Sequence, residues 1–252
     1  AGQRCSALRV LCLQQDIADD VLHMLQGALA ELRLGNPADV RVDIGPVIDA
    51  GARDGLEAHV AAMLAKGARI TRLPLPAACA HGTFVAPSII EIGALSELGR
   101  EQFGPILHVL RYRASELDSL IDAIDASGYG LTMGVHTRID ETVERVAARA
   151  HVGNLYVNRN IIGAVVGVQP FGGEGLSGTG PKAGGPLYLH RLLARTPGPV
   201  LADGALAVTD SDETRAADAA FSGFLEWLDG AGRGLLEGDE LAALRDRADA
   251  CR

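Results

Sequence analysis

Short apolar runs of strand length alternate with segments of helical period through about the first 195 residues of this 252-residue chain. That alternation constrains the fold more than any single residue. Strands joined by helical crossovers pair in parallel, and the crossovers cover the sheet. Such a sheet needs an aliphatic core. Hydrophobic residues make up 48 % of the chain and aromatics only 4 %. The expected class is therefore α/β, with a twisted, mostly parallel sheet flanked by helices.

The individual elements follow from periodicity and end signals. Ala7 to Leu13 reads as a buried strand. Asp16 offers an N-cap with Asp19 three residues on, and Ile17, Val21, Leu25, Ala28 and Leu32 recur at helical spacing up to Gly35. A second helix is expected from Asp49 to Ala65, with Leu56, Val60 and Met63 on one face and Gly67 as its stop. Phe84, Val85, Ile89 and Ile90 flank Pro87, which suggests an extended segment at a sheet edge. Ile106 to Tyr112 is a strand, and Ser115 caps a helix that turns Leu117, Leu120, Ile121 and Ile124 inward. Leu131 to His136 is a strand, Asp140 to Ala150 a helix, and Asn154 to Asn158 a strand. A long glycine-rich loop spans Ile161 to Pro186.

The pattern changes near Arg195, where Thr196-Pro197-Gly198-Pro199 punctuates the chain. The expected organisation is a domain over residues 1–195 and a linker with a helical tail over 196–252. Phe221, Phe224, Leu225 and Leu228 mark one tail helix, and Leu241 and Leu244 another. The tail carries no chemistry of its own and could begin an additional C-terminal domain.

Charge and cysteine usage narrow the function classes. Twenty-three basic against 32 acidic residues leave a net charge of −9, with no basic run, so nucleic acid is not an expected partner. Cys5, Cys12, Cys79 and Cys251 share no metal-binding spacing. Their scatter through a large chain suits reduced thiols in the cytoplasm. Cys79 and His81 are close in sequence but have no second pair with which to hold a metal. No apolar stretch is long enough to span a membrane, and no signal peptide leads the sequence.

Three segments can carry chemistry. In the first, Gly2-Gln3-Arg4-Cys5-Ser6 precedes the first strand. A thiolate is a strong nucleophile, and Arg4 is a nearby cation; the alternative is a cysteine that merely packs. In the second, Glu101-Gln102-Phe103-Gly104-Pro105 offers a carboxylate to sugar hydroxyls and a ring to an aromatic base, or is an ordinary turn into a strand. In the third, the run Gln169 to Gly180 exposes backbone N–H groups beside Ser177 and Thr179, which suits an anion, or is a flexible loop. It is neither a phosphate-binding loop of the Gly-Lys-Ser/Thr type nor a dinucleotide fingerprint.

In this order and spacing the three segments resemble the aldehyde dehydrogenase superfamily, from Ala1 to about Leu193. Gly153 to Asn158 is similar to the strand that leads towards the substrate funnel of that family. Asn158-Arg159-Asn160, Gly163 to Gly167, the Gln169 to Gly180 run and Pro181 to Pro186 look like L-glutamate γ-semialdehyde dehydrogenases, also called Δ1-pyrroline-5-carboxylate dehydrogenases. The Gly-Glu-Gly-Leu-Ser-Gly-Thr-Gly form is most similar to the bifunctional bacterial proline utilization A family.

The resemblance implies an aldehyde dehydrogenase-like catalytic domain and a role for each matching residue. Cys5 would be the catalytic nucleophile. Glu101 and Phe103 would bind NAD. Ser6, Ser177 and Gly178 would hold the carboxylate of the semialdehyde substrate. FAD would serve a proline dehydrogenase domain elsewhere in the parent polypeptide. The family's oxyanion asparagine, general-base glutamate and cofactor fold precede the nucleophile, so the rest of the parent polypeptide is an expected partner, and a homo-oligomer is expected. The competing class is a non-catalytic assembly module on the same fold. A cysteine hydrolase would need a histidine base beside Cys5, and none of the seven histidines lies in a recognisable motif.

Overall fold

The run Ser88–Ile92 explains the centre of the molecule, because its isoleucines must be covered on both faces. In the computed structural model, which describes residues 2–165 and 167–192, this run is an interior strand. The order of elements is β1 (Val10–Gln14), α1 (Ala18–Ala30), α2 (Ala50–Ala65), β2 (Arg69–Arg72), β3 (Ser88–Ile92), β4 (Ile106–Tyr112), α3 (Leu117–Ala126), β5 (Tyr129–Gly130), β6 (Thr132–Val135), α4 (Asp140–Arg149), β7 (Asn154–Val157) and β8 (Glu174–Gly175). The main sheet runs β1-β4-β3-β2. Its β1–β4 and β3–β4 pairs are parallel, and β2 is antiparallel at the edge.

Side chains alternate across a strand, so each strand feeds two cores. Ile89 and Val109 face one side with Leu13, where Ala18, Leu22 and Leu29 of α1 cover them. Ile90, Ile92, Ile106 and Leu110 face the other, under Leu56, Val60 and Met63 of α2 and Leu120 of α3. The α/β class with helices on a mostly parallel sheet is thus the observed architecture. A separate parallel pair, β6 and β7, is joined through α4 in a strand–helix–strand unit. A third pair, β5 with β8, ties the glycine-rich loop to the body through Gly130 opposite Glu174.

Several expectations are corrected. The first strand begins at Val10 rather than Ala7, because residues 4–7 form a turn closed by the Ala7 N–H donating to the Arg4 carbonyl at 3.1 Å. Asp16 does not cap α1; its carboxylate instead accepts from the Gln14 side-chain amide at 2.9 Å, and Ile17 occupies the cap position without a side-chain bond. That helix ends at Ala30, well before Gly35, and Ile17 is exposed. The segment after Pro87 is not at an edge. Pro87 lies outside the strand, where its missing N–H breaks no ladder bond, and its carbonyl accepts from Leu73 N–H at 3.1 Å. Ser115 sits within a short 3-10 turn whose Glu116 carboxylate accepts from the Arg113 N–H at 3.0 Å. The edge strand β2 and the short β5 and β8 were not expected at all. By contrast, Asp49 caps α2, accepting from Ala52 N–H at 2.7 Å, and Gly67 follows that helix with φ of 85°.

Chain contacts group residues 1–188 into one unit and 189–252 into a second, of which only residues 189–192 are described. Those residues lie in the short 3-10 turn Tyr188–Leu192. The expected helices of the tail, and Cys251, lie outside the described residues.

One polar pair interrupts the α2 face of the sheet. His108 of β4 is 3 % exposed, and its Nε2 lies 2.8 Å from Nε2 of His59 on α2. Its Nδ1 lies 3.2 Å from the Arg9 carbonyl. A carbonyl only accepts, so His108 carries its proton on Nδ1 and His59 donates from Nε2. Burial pushes His108 down to about 4, helped by the charges of His59 and Arg9 and opposed by the bond to the Arg9 carbonyl. Burial also lowers His59, with Lys66 and Arg100 adding to it. The unfolded chain therefore binds more protons than the folded one between about pH 6.5 and about 4, and stability falls as pH drops through that window. For His108 this is on the order of 3 kcal/mol. Urea unfolding across that range should show a shallower acid loss in His108→Gln than in the parent; equal slopes would sink the assignment.

Candidate active site

The segment that carries Cys5 is held by its backbone as well as by side chains. Gly2 adopts φ of 70° and lies against the backbone of Gly104, where a Cβ would overlap the Gly104 carbonyl. Gly104 in turn rests on the side chain of buried Leu56, which leaves no room for a Cβ there either. Gln3 Oε1 accepts from the Ile48 N–H at 2.8 Å. The turn that follows divides two neighbours: Cys5 is exposed with a free thiol, and Ser6 is 4 % exposed.

Arg9, just before β1, joins this turn to the second segment. Its Nη1 donates to the Gly2 carbonyl at 2.5 Å and its Nη2 to the Arg4 carbonyl at 2.8 Å. Its Nε donates to Glu101 Oε1 at 3.4 Å, and the guanidinium carbon stands 4.2 Å from the centroid of the Phe103 ring. Burial lowers the Arg9 pKa from its ordinary value, against the hydrogen bond to and attraction of Glu101 and the field of Cys5. A guanidinium remains charged under such a shift. The expected residues Cys5, Glu101 and Phe103 are therefore gathered around one cation. Sequence reasoning missed Arg9 and considered only Arg4, which contributes its carbonyl. The available signal was an arginine entering an aliphatic strand, where a charge needs partners; that strand was expected to be buried but lies at the sheet edge and buries only Leu13.

The other side of the site is built on Gly163. Its N–H donates to Ser6 Oγ at 2.8 Å, and its carbonyl accepts from Tyr156 Oη at 3.0 Å. Gln169 Nε2 donates to the same Tyr156 oxygen at 3.0 Å, and Arg159 lies 4.6 Å from the centroid of that ring. Tyr156, buried on β7, was not among the expected site residues.

Ser177 and Gly178 are held by the β5 segment and by their own loop. The Gly130 N–H donates to Ser177 Oγ at 3.1 Å. The amides of Leu176, Ser177 and Gly178 donate within the fold to the carbonyls of Gly128, Glu174 and Gly175. The expectation of a nest of free N–H groups is therefore corrected at these three residues. The loop is packed: a Cβ on Gly178 or Gly153 would overlap the backbone of Gly173 or Gly172, and Lys182 Nζ donates to the Gly153 carbonyl. Among the described residues no cluster of His, Cys, Asp or Glu could hold a metal ion, and no helix is long and apolar enough to cross a membrane.

Comparison with known proteins matches residues 1–196 to the model of the aldehyde dehydrogenase family. The chain belongs to the aldehyde dehydrogenase family. It is 61 % identical over 202 residues to the bifunctional protein PutA of Klebsiella aerogenes, covering 78 % of this chain and 15 % of that protein. It is 35 % identical over 191 residues to the 1-pyrroline-5-carboxylate dehydrogenase of a Geobacillus species, covering 75 % of this chain and 36 % of the relative. The crystal structure of a mutant of proline utilization A from Bradyrhizobium japonicum superposes with a TM-score of 0.71 at 56 % identity, over 75 % of this chain and 19 % of that one. The chain thus spans about a sixth of the length of its bifunctional relatives.

The three described cysteines differ in chemistry. Burial pushes the Cys12 thiol up to about 11, and Cys79 is buried. A thiol needs both access and its thiolate form to react. Limited alkylation with iodoacetamide at neutral pH, followed by peptide mapping, should label Cys5 first and Cys12 and Cys79 only after unfolding. Labelling of Cys12 or Cys79 in the folded protein ahead of Cys5 would contradict this placement.

Proposed function

We propose that this chain supplies the nucleophile, and part of the cofactor and substrate contacts, of an NAD-dependent L-glutamate γ-semialdehyde dehydrogenase. In this reading it works within a larger bifunctional polypeptide whose other catalytic domain oxidises proline with FAD. The observation that carries the reading is the exposed Cys5 thiol on a turn bound through one guanidinium to Glu101 and Phe103. The relatives named PutA and 1-pyrroline-5-carboxylate dehydrogenase support the choice of substrate.

The residues fit NAD by their chemistry. The Glu101 carboxylate is 27 % exposed and faces Arg9 through one oxygen, so the group can also accept from ribose hydroxyls. The Phe103 ring is 41 % exposed, an apolar surface of the kind a flat heterocycle would cover.

The reaction follows from the thiol. The Cys5 thiolate attacks the aldehyde carbon, forming a C–S bond and placing negative charge on the former carbonyl oxygen. The Cys5 backbone N–H is a donor for that charge. NAD, when bound, takes up the hydride lost from this carbon. Water then cleaves the resulting thioester, releasing glutamate and returning the Cys5 thiol. Aldehyde, NAD and water are thereby converted to acid, NADH and a proton.

The α-carboxylate of the substrate falls to Ser6, Ser177 and Gly178 in this reading. Both serine oxygens accept a backbone N–H, from Gly163 and Gly130 respectively. Each hydroxyl therefore keeps its proton to donate elsewhere. Gly178, packed on Gly173 where a Cβ would overlap the backbone, keeps the loop close beside Ser177.

The test uses the protein as expressed from its own gene. NADH formation with L-glutamate γ-semialdehyde is expected, with Cys5→Ala at least about a thousandfold slower. Equal activity in the two would remove Cys5 from the mechanism, and no NADH from the unaltered protein would refute the proposed reaction.

A further inference from the structure

We propose that Arg9 is a positioning residue that sets the Cys5 thiol and the Glu101 carboxylate as a single unit. The proposal rests on the reading of Cys5 as nucleophile and Glu101 as cofactor ligand. A guanidinium is planar, with donors in a fixed fork, so acceptors that share it are held in one plane. Here Gly2 O, Arg4 O and Glu101 Oε1 share it, and Phe103 lies against its face. Arg4 is the residue immediately before Cys5, so the bond at 2.8 Å fixes the start of the nucleophile turn. The side chain is only 16 % exposed, so water competes weakly for these acceptors.

The stem of Arg9 is itself fixed. Its carbonyl accepts from the backbone N–H of His108 at 3.0 Å and from His108 Nδ1 at 3.2 Å. The fork thus projects from a point anchored in the sheet. Lysine at this position would keep the charge, but a single ammonium cannot hold three acceptors and cover a ring in this arrangement. Arg9 touches neither the reacting carbon nor the hydride path. It acts through Cys5, Glu101 and Phe103.

The experiment measures kcat, the KM for NAD and the alkylation rate of Cys5 in Arg9→Lys, Arg9→Met, Glu101→Gln and the Arg9→Met/Glu101→Gln double variant. These are made in the protein as expressed from its own gene. Arg9→Lys and Arg9→Met are each expected to raise the KM for NAD and lower kcat by about tenfold. Both should change the alkylation rate of Cys5 at unchanged thermal midpoint for the lysine variant. The double variant is expected to be no worse in KM than the weaker of its singles, because both remove one shared arrangement. Should Arg9→Met not fold, Arg9→Lys decides. A raised KM in Glu101→Gln with a parental KM in both Arg9 variants overturns the role of Arg9 alone. Parental KM in Glu101→Gln overturns the cofactor reading of Glu101, and the proposal with it. Effects that multiply in the double variant also overturn it.

Discussion

A cation that leaves water must find acceptors, and at Arg9 that requirement organises the site. The acceptors within its reach are two backbone carbonyls of the Cys5 turn and one carboxylate from the loop before β4. Removing one partner would leave a half-buried charge unsatisfied, so the three must stay together. The Phe103 ring adds a face rather than an acceptor, attracting the cation through its quadrupole. Two segments about ninety residues apart in sequence are thus brought into register by one side chain. The parallel pairing of β1 with β4 makes this possible, since it places the chain entering both strands at the same end of the sheet.

Glycine serves close approach as much as freedom of motion. Gly2 against Gly104, Gly153 against Gly172 and Gly178 against Gly173 are backbone-on-backbone contacts where any side chain would collide. A glycine-rich run in the sequence therefore encodes packing here. That packing consumes the amides of residues 176 to 178, which changes what the loop can offer a carboxylate. The hydroxyl protons of Ser6 and Ser177 stay free to donate, because each oxygen already accepts a backbone N–H.

The legible parts of the sequence were those in which one pattern dominated. The aliphatic run of β4 and the 3.6-residue pattern of α2 with its Asp49 cap were both clear and both present. The family match was legible because Cys5, the Glu101–Phe103 pair and the glycine-rich run follow one another in a fixed order. Short elements were not legible: β5 and β8 have two residues each and exist through tertiary pairing. The capping expectation at Asp16 failed because a neighbouring amide, Gln14, competes for the same carboxylate. Pro87 misled because a proline just outside a strand and one on an edge strand read alike. Arg9 was legible only as a charge in need of acceptors, since Glu101 is distant in sequence, and Tyr156 was not legible because the link from its partner Gly163 to Ser6 spans most of the domain.

The two halves of the site are therefore held by different physics. Cys5, Glu101 and Phe103 are held through the Arg9 charge and the steric contact of Gly2 with Gly104, both of which resist small displacements. Ser6 is joined to Tyr156 through one neutral peptide, Gly163, bonded to Ser6 on one end and Tyr156 on the other. Neutral hydrogen bonds of this kind are individually modest. The link through Gly163 is therefore the weaker of the two, and the Arg9 fork the stronger. A change at that peptide need not disturb the guanidinium, whose bond to the Arg4 carbonyl holds the chain next to Cys5 independently of Gly163.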